Sequence, residues 1–255
     1  LNDADMVFPD AVDSKGEHYA VTHGSFIPLL NSTDRVLRKS AFEALYSVYR
    51  QFRNTSAAVL AAQAKQLKFF ADARKYPSTL ACALDATEVP VEVYTNLIDA
   101  VRRNMPAMHK YTRLRRKLLG VDKLHFYDLY APMVGDVEMH FTYEEACELI
   151  LKALEPMGEE YCAIVKRGLS ERWIDVYENP GKRSGAYSSG GFEMNPFILL
   201  NFHGTLDDVF TLIHEMGHSM HTYLSCHNQP ACYSNYVIFV AEVASTCNEA
   251  LLMQY

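Results

Sequence analysis

From Thr205 to Leu224 the residues Leu206, Val209, Phe210, Ile213, Met216, Gly217, Met220 and Leu224 recur at the three-and-four spacing of a single helix face. Just ahead of them, Thr205-Leu206-Asp207-Asp208 has the form of a capping box, in which Thr205 accepts from the first-turn backbone and Asp208 reaches back. The spacing predicts a helix, and His214-Glu215-Met216-Gly217-His218-Ser219-Met220-His221 lies inside it. Any fold for this chain must accommodate three histidines and a glutamate on a largely apolar helix.

Helix geometry says what those groups can do. His214 and His218 are one turn apart on one face, separated by about 6 Å of rise, so both imidazoles can converge on one ion. Glu215 is rotated by roughly 100° from His214, which puts it beside such an ion and within reach of a water there, where a general base belongs. His221 lies a further turn along, too far for the same ion, and reads as a packing residue or a support behind the ligands. The competing account needs two hydrogen-bonded core histidines and an acid to coincide at ligand spacing.

A catalytic zinc keeps three protein ligands and one open position, so one more Asp, Glu or His is required. Residues 236–247 read as a helix apolar almost all round, with Glu242 in its middle. A buried carboxylate needs a cation, and no Lys or Arg follows Arg183, which makes a metal the natural partner. A protonated or hydrogen-bonded Glu242 is the alternative. Ser245, Thr246 and Glu249 fall on roughly the same side, placed to orient the ligands from behind.

The rest of the chain is predicted to be mainly helical. Asp13-Ser14-Lys15-Gly16 followed by His18–Thr22 reads as a strand or hairpin. Helical patterning covers 32–76, interrupted near Asn54-Thr55-Ser56 and stopped by Pro77, then about 91–119 after Pro90, then about 143–167 with Thr142 as cap. The exception lies between Trp173 and Phe202, where a Gly- and Ser-rich stretch, 185–191, precedes the apolar run 197–202; a small sheet is expected beside the motif helix.

With 49% hydrophobic residues, 255 residues suffice for a sizeable core. A net charge of −7 argues against nucleic acid or an anionic membrane surface as partner. The basic run 113–117 reads as a solvated helix face. No stretch is apolar for the roughly 18 residues a membrane span needs. The six cysteines form no CxxC pair and read as buried free thiols of a cytoplasmic protein.

HEMGHSMH, followed by FVAEVASTCNE at 239–249, resembles the oligoendopeptidase F branch of the thimet oligopeptidase family of zinc metallopeptidases. RWIDVYENPGKRSGAYSSGG at 172–191, NPFILLNFHGTLDDVFTLIHEMGHSMH at 195–221 and LNDADMVFPD at the start extend the resemblance over essentially the whole chain. It implies a helical zincin-type catalytic domain with a small sheet beside the active-site helix. It also implies one Zn²⁺ per chain on His214, His218 and Glu242, with Glu215 activating water to hydrolyse internal bonds of short unfolded peptides. Extended peptide would pair with the sheet edge at Gly185, Ala186, Tyr187 and Ser188. Family members run to about twice this length, so the chain reads as a fragment: 1–30 ends an N-terminal region and 31–255 begins the catalytic domain. The groups that steady the oxyanion are then expected beyond Tyr255. Two other readings stand beside this one, a non-catalytic zinc-stabilised scaffold or peptide-binding module, and an exopeptidase.

Overall fold

Asp34 opens the first long helix by accepting from the Val36 N–H at 2.8 Å in a computed structural model that describes residues 5–134 and 139–255. The chain divides into two compact units, Leu1–Asp136 and Val137–Tyr255.

In the first unit, β1 (Ala11–Val12) pairs antiparallel with β2 (His18–Tyr19). Between them Gly16 takes a positive φ of 87° that an L side chain would resist. The helices α1 (Phe26–Leu30), α2 (Arg35–Gln51), α3 (Arg53–Ala73), α4 (Thr79–Asp85) and α5 (Val91–Leu118) follow. Ala11, Val21, Leu37, Ala41, Ala44 and Leu45 form a small core. The helix break falls at Phe52, two residues before the expected Asn54-Thr55-Ser56. Asn54 and Thr55 instead fall in the first turn of α3, where backbone N–H groups lack intrahelical partners, and the Ser56 N–H donates to the Phe52 carbonyl at 2.9 Å.

The basic run 113–117 is not uniformly solvated. Arg113, Arg116 and Lys117 are exposed, but Arg115 is buried and donates to the carbonyls of Asp128 and Ala131. Asp128, itself fully buried, accepts from Arg35 at 3.0 Å and from Arg38 at 3.0 Å. Burial pushes its carboxyl upward, yet the bonds from Arg35, the His125 backbone and Arg38 outweigh that and hold it at about 2. A lowered value means stability that is complete above the unfolded pKa of about 3.9 and is lost as pH falls toward 2. Asp128→Ala should cost about 3–5 kcal/mol in urea denaturation, because it strands the buried Arg38. It should also flatten the acid dependence between pH 4 and 2; a loss under 1 kcal/mol would contradict this account.

In the second unit, α6 (Tyr143–Ala153) begins with the expected Thr142 cap, part of a full capping box with Glu145. The single helix expected over 143–167 is two. A short 3₁₀ turn at Glu155–Met157 separates α6 from α7 (Glu159–Ser170), because Pro156 lacks an N–H and Gly158 sits at φ 91°. Next come β3 (Ile174–Asp175), β4 (Tyr187–Ser189) and β5 (Phe197–Leu199), then α8 (Leu206–Asn228) and α9 (Ile238–Gln254). The sheet order is β3-β5-β4, with β3 parallel and β4 antiparallel to β5, so β4 is an edge strand.

Ile150, Val165, Ile198, Leu200, Leu212, Ile213, Met216 and Met220 form the core between α6, α7, the sheet and α8. Among the described residues no helix is long and apolar enough to cross a membrane. All six cysteines are free, but only Cys226 is buried, while Cys232 and Cys247 are exposed; the expectation of buried thiols fails for those two because they sit on outward faces of the helical region.

Candidate metal centre

α8 is started by its capping box. Asp208 N–H donates to Thr205 Oγ1 at 3.2 Å, and Thr205 N–H donates to the Asp208 carboxylate at 2.8 Å. Asp207 and Asp208 in its first turn complement the helix dipole. One stripe of the helix is buried in the core, and the adjoining stripe carries His214, Glu215 and His218.

On that stripe His214 Nε2 and His218 Nε2 lie 3.1 Å apart. Glu242 Oε2, from α9, is 3.4 Å from the first and 3.3 Å from the second. A tetrahedral ion with bonds of about 2.0–2.1 Å sets its donors about 3.3 Å apart, so this triangle has the dimensions of one zinc face. Burial lowers the pKa of His218, opposed by the Glu242 charge, and this favours the neutral imidazole that a metal needs.

The ligand-bearing groups are held from behind. His214 Nδ1 is hydrogen-bonded to Glu249, a pairing that fixes the ring and leaves Nε2 facing the triangle. Ser245 Oγ donates to Glu242 Oε2 at 2.8 Å. Thr246 is exposed, with its hydroxyl spent on the Glu242 backbone carbonyl, so it reaches none of the three donor atoms. His221 stacks on Tyr236 with ring centroids 3.6 Å apart and does not join the triangle. Glu242 is half exposed rather than buried; the solvent-free environment expected of it fails because its helix leaves Phe239 and Val243 facing outward.

Glu215 is buried beside the triangle and lines clefts of about 440 Å³ and 350 Å³ that open over it. Its Oε2 makes no hydrogen bond among the described residues. Burial raises its pKa, while the His214 charge and the Ser188 backbone pull it back. Such a carboxyl is suited to exchanging a proton.

The wall of the larger cleft is the edge strand, with Ala186, Tyr187 and Ser188 lining it. Gly185 turns into the strand at φ 83°, and Asn201 Nδ2 clamps the carbonyls of Arg183 and Gly185 at 2.9 and 2.8 Å. The N–H groups of Ile198 and Leu200 donate to Trp173 and Asp175 on the β3 side. Alternation along β5 therefore gives Phe197 and Leu199 to β4, where they pair with Ser189 and Tyr187. Ser188 and Ala186 are left with backbone groups turned away from the sheet, along the free edge.

Gly217 was legible only as one more small residue on the apolar face. A Cβ there would lie 2.7 Å from Ser245 Cα and 2.8 Å from the Ala244 carbonyl, so its absence lets α9 approach α8 one turn from Glu242. Gly217→Ala must push α9 outward, and if the triangle holds a metal it should weaken that binding about 10- to 100-fold, the range seen when the groups supporting a site are disturbed. Chelator competition measures it; an affinity within twofold of wild type would show that α9 is not held by this contact.

Residues 28–255 match the model for peptidase family M3. The chain belongs to peptidase family M3. Within family M3 it is 50% identical over 255 residues to oligopeptidase PepF of Bacillus subtilis, covering 100% of this chain and 38% of that protein. It is 47% identical over 254 residues to group B oligopeptidase PepB of Streptococcus agalactiae, covering 100% and 42%. The crystal structure of oligoendopeptidase-F from Enterococcus faecium superposes with a TM-score of 0.62 at 39% identity, over 100% of this chain and 38% of that one. PZ peptidase A with an inhibitor, at 23% identity over 94% and 43% of the two chains, shares the fold with a TM-score of 0.80. The chain thus spans about two-fifths of the length of the M3 relatives it matches.

Proposed function

We propose that the protein is a zinc-dependent endopeptidase acting on internal bonds of short unfolded peptides, with His214, His218 and Glu242 holding the metal and Glu215 as the base. The observation that carries this reading is the 3.1–3.4 Å triangle of two Nε2 atoms and one carboxylate oxygen, with the buried carboxylate of Glu215 beside it, whose Oε2 makes no hydrogen bond among the described residues. Zinc on those donors supplies a Lewis acid that polarises a scissile carbonyl and acidifies water. Glu215 takes the proton of the attacking water and returns it to the departing amine nitrogen, so no covalent enzyme intermediate is required. The outward backbone groups of Ala186 and the outward carbonyl of Ser188 offer an extended peptide main-chain hydrogen bonds, which tolerate many sequences. Six free cysteines fit a reducing, cytoplasmic location.

Two observations favour this over the alternatives. A closed structural zinc site needs a fourth protein ligand, and the candidates Glu249 and His221 are engaged by His214 and Tyr236. An exopeptidase that captures a C-terminal carboxylate needs a cation, and among the described residues neither cleft is lined by Lys or Arg.

The test uses the protein at its natural length. It should hold one zinc per chain and cleave an internally quenched peptide; a strong chelator should abolish cleavage, and added zinc should restore it. Full activity in metal-free protein would defeat the proposal.

A further inference from the structure

β4 is three residues long, lies between Gly185 and Gly190-Gly191, and among the described residues pairs on one side only. Short, glycine-flanked edge strands are weakly specified in register. Yet the Ser188 backbone must stand at a fixed place beside Glu215 if the edge is to present a peptide to it. Something other than the ladder has to hold the strand.

That restraint comes from α8 itself. Ser219, the residue after His218, is fully buried and its Oγ lies 2.8 Å from Ser188 Oγ. Ser188 is the one strand residue whose side chain turns toward α8, since Tyr187 and Ser189 lie on the opposite, exposed face. One residue beyond the strand, Gly190 approaches Thr222 so closely that a Cβ there would lie 2.9 Å from its methyl group. Three consecutive turns of α8 thus carry, in order, the first ligand, the second ligand with Ser219, and the Thr222 contact.

Resting on the peptidase reading above, we infer that Ser219 is a positioning residue: its hydroxyl bond to Ser188 pins the substrate-presenting edge strand to the metal-bearing helix. A slip of the strand by one residue would bring Tyr187 or Ser189 to this spot, according to its direction, and would turn the outward backbone groups inward. The bond therefore holds the strand where Ala186 and Ser188 face the cleft, and excludes the slip that brings Tyr187 against Ser219. Neither hydroxyl touches the metal ligands' donor atoms, so peptide binding should depend on the pair and metal binding should not.

The experiment compares Ser188→Ala, Ser219→Ala and the double variant with wild type, at natural length and zinc-loaded. Three measurements are made: zinc affinity by chelator competition, steady-state kinetics giving KM and kcat on an internally quenched peptide, and hydrogen exchange of the Tyr187 and Ser189 amides. Each single variant should raise KM about fivefold to tenfold, the effect of one hydrogen bond, with kcat changed less than threefold and zinc affinity within twofold. The two amides should exchange at least fivefold faster, and the double variant should be no worse than the poorer single one. Unchanged KM and exchange, additive losses in the double variant, or a parallel fall in zinc affinity would each overturn the pin. If the wild type cleaves no peptide, the peptidase reading fails instead, and the exchange rates alone still decide whether Ser219 holds the strand.

Discussion

Glu215→Gln is expected to leave zinc bound and to remove nearly all peptide hydrolysis, a fall in kcat/KM of about 100- to 10,000-fold. Glutamine keeps the volume and both polar atoms of the side chain, so the packing around this buried position is preserved. What it loses is the capacity to accept a proton. The proposed metal donors belong to His214, His218 and Glu242, and none of their hydrogen bonds runs through Glu215. Metal content by mass spectrometry under native conditions and steady-state kinetics on the same preparation would check both halves. Turnover within tenfold of wild type would remove Glu215 from the role of base.

The legibility of this centre in the sequence was uneven, and the reasons are physical. His214, Glu215 and His218 lie within five residues on one capped helix, and helix geometry alone relates their side chains. Thr205, Thr142 and Pro90 likewise announced their helix starts by local chemistry, and the structure begins α8, α6 and α5 at them. Local signals placed one break within two residues and missed another. The interruption expected near Asn54-Thr55-Ser56 falls at Phe52, whereas Pro156 and Gly158, read as part of one helix, divide α6 from α7. Contacts between distant segments left the faintest trace. Nothing around Arg115 foretold the buried Asp128 cluster, and nothing around Ser219 foretold Ser188, because each pair is related by packing alone. Gly217 shows the same limit: its use becomes visible only when Ser245 lies against it.

Glu242 offers the second large effect, since the sequence argument for it rested on burial and the structure shows a half-exposed carboxylate. Exposure removes the desolvation penalty that would compel a cation, so the case for Glu242 now stands on geometry. Its Oε2 is within 3.4 Å of both Nε2 atoms and is oriented by Ser245 Oγ. Without a metal, that oxygen can take a proton-mediated bond from one ring at a time. With one, it would supply the third protein donor beside the two Nε2 atoms. Glu242→Ala should therefore lower zinc affinity by more than the roughly 10- to 100-fold typical of supporting groups, and activity should fall in proportion to the zinc lost. Glu249→Gln provides the internal scale. It disturbs only the partner of His214 Nδ1, so its loss should stay within that 10- to 100-fold range. Chelator competition on the two variants orders them directly. If Glu249→Gln costs more zinc affinity than Glu242→Ala, the metal's third ligand is Glu249, and the triangle of Nε2, Nε2 and Oε2 is not the binding face.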